Sequence, residues 1–347
     1  MTVPADPADP FEPFAGNAPA RRPGALRLAV CAATVAACVP YLSIKIAWLS
    51  GSTVGWNDAA AARDSVLYVG NAITLGMDAL AVLVACAFTF PWGRRVPAWL
   101  LLPPIWVATG LLAPIALAVP LGTAIQSLAS TEPVTGTGNG LQGWVYGVVY
   151  TGFTLQGIGL LTAFVLYARR RWPGVFTVRT VDVLTGPTRS LQLLLARGAV
   201  VPAAVCAAVH FFWGFGGTAG LPHDLATDRN APQQVLDAVW GLLALGGAVG
   251  LLALAGRARR PARFVLPLAA VWVGAGAMFA WSLYGLIVTL AAADALGADT
   301  APASGLVALG GTLTGLVAAL TGAFLLAEHG GARRAAQSAR PMASSTP

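Results

Sequence analysis

The sequence predicts an all-α polytopic membrane protein: eight transmembrane helices arranged as two parallel four-helix repeats. Three observations predict it. The chain of 347 residues is 56% hydrophobic and only 10% charged, whereas a soluble domain carries roughly 25% charged residues. Its apolar residues gather into eight runs, and about 20 such residues cross a bilayer as a helix. The third observation is the sorting of the basic residues onto alternate connections between the runs.

Residues 1–23, MTVPADPADPFEPFAGNAPARRP, are rich in Pro, Ala and acid. They cannot build a core and are expected to form a disordered cytoplasmic tail. The first membrane repeat spans 24–170, with predicted helices at Leu26–Ser50, Val66–Phe90, Val96–Val119 and Trp144–Ala168. Basic residues precede the first run, as in a signal peptide. The run is long, however, and has a counterpart in mid-chain, so it reads as a true helix. Residues 171–197 read as a basic cytoplasmic linker, and TVRTVDVLTGPTRSLQLLLAR within it as a short helix on the membrane surface. The second repeat spans 198–329, with helices at Gly198–Phe215, Val235–Ala255, Phe264–Ala293 and Gly305–Ala327. Residues 330–347 read as a second disordered cytoplasmic tail. Backbone groups in lipid must bond within their own segment, so the runs are helices; the alternation of a barrel strand is absent.

One set of connections carries 18 of the 21 Lys and Arg residues, from Arg21 through Arg94, Arg169 to Arg171 and Arg263 to Arg340. The other set carries only Arg63 and Arg229, and Lys45 lies inside the first run. The positive-inside rule then puts both termini in the cytoplasm of a multi-pass cell-membrane protein. The net charge of +7 therefore belongs to membrane topology. Short basic clusters between apolar runs exclude a nucleic-acid partner; the lipid bilayer is the expected one. Cys31, Cys38, Cys86 and Cys206 all sit in apolar runs without metal-ligand spacing and read as small buried side chains.

An internal repeat underlies the two halves. KIAWLSGSTVG at residues 45–55 matches HFFWGFGGTAG at 210–220. Trp48, Gly51 and Gly55 fall on Trp213, Gly216 and Gly220, with Ser52 opposite Gly217 and Lys45 opposite His210. A shift of one more residue pairs Asp58 with Asp224, Arg63 with Arg229, Asn71 with Asp237, Arg94 with Arg260, Trp106 with Trp272 and Gly110 with Gly276. The last helices realign as LLTAFVL on ALTGAFL. An even number of spans per half makes the repeats parallel, related by an axis along the membrane normal.

The repeated motif ends the first helix of each half at the outer face. Trp there belongs to the interfacial aromatic belt, and the glycines allow a tight turn at a helix end. Neither accounts for Lys45 and His210, which lie one turn further into the membrane. Ionisable groups inside a bilayer are costly and point to function by default. Each half thus offers a candidate polar cluster: Lys45 with Asn71 and the deeper Asp78, and His210 with Asp237. Two readings stand, polar glue between helices and a ligand or proton site. Lys45 is also long enough to snorkel to the headgroups. The outer-loop pairs Asp58/Arg63 and Asp224/Arg229 read as solvated or locally bridged.

HFFWGFGG resembles the mark of a group of small bacterial integral membrane proteins, four spans long and classed as a domain of unknown function: His, one or two aromatics, Trp, two residues, then Gly-Gly. The resemblance covers about 130 residues of each half. It implies a four-helix unit, here in tandem, and no particular activity. In the first half Lys45 replaces the His and Ser52 the second Gly, so chemistry needing His would survive in one half only.

No P-loop, H-E-x-x-H or nucleophile elbow occurs, and no cofactor is implied. His210 reads as the single histidine within a span. Three functional classes follow: a structural or accessory membrane protein meeting a membrane-protein partner; a small-solute or proton transporter with a path between the repeats; and a membrane enzyme using His210 as base. The enzyme is the least supported, because no nucleophile stands nearby.

Overall fold

A computed structural model describes residues 23–59, 65–129, 140–183, 186–227, 229–256, 263–296 and 301–338. Of the tails expected at 1–23 and 330–347, residues 1–22 and 339–347 lie outside the described residues, as do Arg63 and the side chain of Asp224.

The chain is helical throughout the described residues, with two isolated β-bridges and no named strand among them. The helices are α1 Ala25–Leu49, α2 Ser65–Thr89, α3 Ala98–Ala129, α4 Gly143–Arg171, the short α5 Pro173–Thr177, α6 Arg189–Gly214, the short α7 His223–Thr227, α8 Ala231–Gly256, α9 Val265–Leu296 and α10 Pro302–Ser338. Eight of them (α1 to α4, α6 and α8 to α10) are long and apolar enough to cross a membrane. These are the eight runs read from the sequence. Their outer surfaces carry exposed apolar side chains such as Leu83, Leu117, Leu155 and Leu313, which suit lipid.

The helix ends differ from the expected ones in three places. α3 continues past residue 119 to Ala129 with Pro103, Pro104, Pro114 and Pro120 inside it; in lipid an unwound backbone has no water to bond, so a proline-rich stretch stays helical. α6 begins at Arg189, so the surface helix expected in the linker does not form. The linker instead holds α5 and a 3-10 turn at Thr180–Asp182, and its last residues join the membrane helix. α10 runs on to Ser338, where a disordered tail was expected from residue 330. Ala and Arg there are strong helix formers, and a helix does not stop where its apolar run stops.

Contacts between helix ends fix which ends lie together. At one end Arg27 of α1 donates to the Phe88 carbonyl of α2, and Tyr167 of α4 donates to the Gly93 carbonyl at 3.3 Å. There too the Phe264 amide donates to the Val178 carbonyl at 3.0 Å, and Thr188 and Gln192 donate to Glu328 of α10. At the opposite end Trp56 bridges to Leu141, and the amide of Ala231, the first residue of α8, donates to Gln126 of α3 at 3.1 Å.

α6, α8, α9 and α10 form one packed group, while α1 packs on α2 and α4. α3 joins the two groups: it packs on α4, α8 and α9 and only lightly on α2. Its crossing with α9 is made by glycine. A Cβ on Gly110 would lie 2.2 Å from the Gly276 carbonyl oxygen. The Trp106 indole donates to the Trp272 carbonyl at 3.0 Å, and Trp281 to the Leu111 carbonyl at 3.0 Å. Small residues let membrane helices approach closely, and the dispersion contact so gained holds them.

Candidate functional site

The two copies of the motif fold alike. In each, the helix ends in a paired-bond cap on a glycine of positive φ, Gly51 at 90° and Gly216 at 96°. The Ser52 amide donates to Ala47 O and the Gly51 amide to Trp48 O; the Gly217 amide donates to Phe212 O and the Gly216 amide to Trp213 O. These are the two bonds of the Schellman motif, which satisfy carbonyls that the helix end leaves open. A turn follows, closed by Trp56 N to Thr53 O and by Leu221 N to Thr218 O. Its third residue is Gly55 or Gly220, with φ of 80° and 83°, where a type II turn needs glycine.

The tryptophans are not the interfacial anchors that the sequence suggested. Trp48 and Trp213 are buried, 9% and 5% exposed. Each turns its indole inward and ties down the loop behind it: Trp48 Nε1 donates to Val54 O at 2.7 Å, and Trp213 Nε1 to Ala219 O at 3.0 Å. A buried indole N–H needs an acceptor, and the following turn supplies one. The Ser52 and Gly217 difference also has a cause. A Cβ on Gly217 would lie 2.4 Å from the Phe212 ring, whereas the residue matching Phe212 in the first half is Ala47.

The polar residues resolve into two separate pairs. In the first half the Lys45 ammonium donates to Asp78 Oδ2 at 2.9 Å, and its side chain is wholly buried. The Nζ also sits 4.0 Å from the centroid of the Tyr41 ring. Gln156 of α4 reaches Asp78 Oδ1 at 3.5 Å. Lys45 thus points into the bundle, not outward to the headgroups. Asn71 is half-buried and takes no part in the pair.

In the second half His210 Nδ1 meets Asp237 Oδ1 at 2.7 Å. The other carboxylate oxygen takes a bond from Arg229, whose side chain is 8% exposed. Arg229, which the sequence suggested was tied to the outer loop, therefore turns in beside α8. The His210 ring stacks on Trp240 with centroids 3.9 Å apart and meets Trp213 edge-on at 5.0 Å. Its Nε2 makes no hydrogen bond with a described residue. A carboxylate at Nδ1 accepts the proton of that nitrogen in a hydrogen bond, so in a neutral ring Nε2 is the acceptor. The Arg229 Nε is buried without a partner among the described residues.

Several participants carried no signal in the sequence. Tyr41 and Gln156 lie in plain apolar runs. His329 is buried inside α10, so His210 is not the single histidine within a span. Glu328 accepts from the Thr188 amide at 3.0 Å, from its hydroxyl, and from Gln192 Nε2 at 2.8 Å. No group of three or more His, Cys, Asp or Glu among the described residues could hold a metal ion.

No family model, curated protein or solved structure matches this chain.

Proposed function

We propose that the protein is a structural or accessory component of the cell membrane, built from two duplicated four-helix units that point the same way, with both termini cytoplasmic. The observation that carries the reading is the separation of the polar groups. Lys45 and Asp78 close on each other between α1 and α2, and His210 and Asp237 between α6 and α8. Each pair joins the first and second long helices of its own half, which is the role of polar glue. A path between the halves would run where α3 meets α9, and there the glycine contact of Gly110 with Gly276 and the indole bonds of Trp106 and Trp281 fill the space. The like geometry of the two motifs, down to the caps on Gly51 and Gly216, supports duplication. The resemblance of HFFWGFGG to the four-span bacterial group agrees with it.

A second reading, a solute or proton site, draws on one observation: the His210 Nε2, without a hydrogen bond to any described residue, on a ring held by Asp237 and walled by indoles. Proton flux separates the two. Proteoliposomes holding a pH dye and an imposed pH gradient are expected to leak no faster than empty vesicles. Flux that falls in His210→Gln or Asp78→Asn would replace the accessory reading with transport.

A further inference from the structure

We propose that the arginine-rich ends of α1 and α4 hold the phosphodiester headgroup of an anionic phospholipid, bound by Arg27 and Arg170 with Arg94 beside them. The three arginines come from α1, α4 and the 3-10 turn at Pro91–Arg94. All are half-buried. Arg94 and Arg170 act on Arg27 as like charges, and no carboxylate among the described residues acts on it. Arg27 spends one donor on the Phe88 carbonyl, and Arg170 has no hydrogen bond or ion pair with a described residue. Gathering like charges in a partly buried place is unfavourable unless an anion joins them. Guanidinium forks match phosphate oxygens, which makes arginine the usual residue for that task.

The second half supplies an internal comparison, which rests on the duplication reading. In the repeat alignment Gln192 stands where Arg27 stands, and Glu328 and His329 stand where Arg169 and Arg170 stand. There the chain provides its own anion: the Glu328 carboxylate takes bonds from Gln192 and Thr188. The first half keeps a donor at one of the two positions, Arg27 for Gln192, has Pro23 in place of Thr188, and replaces the acid with arginine. No carboxylate among the described residues acts on Arg27, and an anion from outside the chain would take the place that Glu328 fills in the second half.

Its source is the bilayer. The arginines sit where apolar helices end, and exposed apolar side chains adjoin them in sequence: Leu26 beside Arg27, and Phe90 and Trp92 just before Arg94. Such side chains suit acyl chains and the interfacial belt, and basic sites between membrane helices on the arginine-rich side take anionic headgroups.

The test is native mass spectrometry of the full chain released from vesicles of phosphatidylcholine mixed with phosphatidylglycerol. The wild type is expected to retain phosphatidylglycerol preferentially. Arg27→Gln with Arg170→Gln is expected to lower that retention roughly tenfold or more, at about 1 kcal/mol per basic residue. Arg179→Gln with Arg189→Gln is expected to leave it unchanged. Equal retention in both double variants would overturn the site. Inorganic phosphate that displaces the lipid and raises the Tm as much as phosphatidylglycerol does would overturn the lipid as the ligand. Should the glutamine pair not fold, Arg169→Glu copies the second half's acid; it is expected to fold and lose the lipid, and retention at wild-type level would contradict the proposal. These outcomes do not depend on whether the two halves superpose, which is tested separately.

Discussion

Lys45 sends its ammonium inward to Asp78, so the first half carries a buried ion pair, the lysine side chain wholly covered and the aspartate side chain 9% exposed. Burying two charges costs several kcal/mol per ion, and the mutual attraction returns that only in good geometry. Removing one partner strands the other. Lys45→Met is therefore expected to destabilise the bundle by about 3–5 kcal/mol, whereas Lys45→Met with Asp78→Leu is expected to restore most of that loss. Denaturant titrations of the two variants check the sign of the coupling. The residue types of this pair were legible in the sequence, because any Lys or Asp in an apolar run stands out. The pairing was only half legible. Asn71 is the counterpart of Asp237 in the alignment, yet a lysine stem reaches deeper than an imidazole and selects Asp78. Arg229 was misplaced for a similar reason: a long side chain at a loop can lie along the next helix, and spacing says nothing of its direction.

Two glycines, Gly51 in the cap after α1 and Gly110 within α3, differ in what confines them. Nothing lies within 4 Å of a Cβ added to Gly51, so only its positive φ resists a side chain. Gly51→Ala is expected to cost about 1 kcal/mol. Gly110→Ala must push α3 away from α9, because the added carbon would lie 2.2 Å from the Gly276 oxygen. Its cost is expected to exceed that of Gly51→Ala, at roughly 1–3 kcal/mol or more. Thermal unfolding of both variants in one detergent gives the order. The α6 start supplies a third case. Glu328→Ala leaves the Thr188 amide without its acceptor and takes one of two acceptors from Gln192 Nε2, and is expected to speed hydrogen exchange in the first turn of α6 while the middle of α6 stays protected. Helix existence was legible throughout, since eight apolar runs gave eight long helices. Helix ends were not, because α6 and α10 continue through arginines that a hydropathy reading takes as loop.

At the scale of the molecule the two halves meet through α3, which leaves α2 lightly packed and joins α8 and α9. That asymmetry was invisible in the sequence: a repeat alignment assigns equal neighbours to equal helices, while α3 and α9 cannot both occupy the same place against α8. What the proposed duplication would dictate is direction. If the halves are parallel, the loops after Trp48 and Trp213 face the same side, and the arginine-rich ends face the other. Cysteine accessibility in intact cells tests this most directly. In a chain whose four native cysteines are alanine, Val54→Cys and Ala219→Cys should both react with a membrane-impermeant maleimide from outside. Arg95→Cys and Arg189→Cys should react only after permeabilisation. Labelling of Val54→Cys and Ala219→Cys from opposite sides would contradict two parallel bundles crossing one membrane.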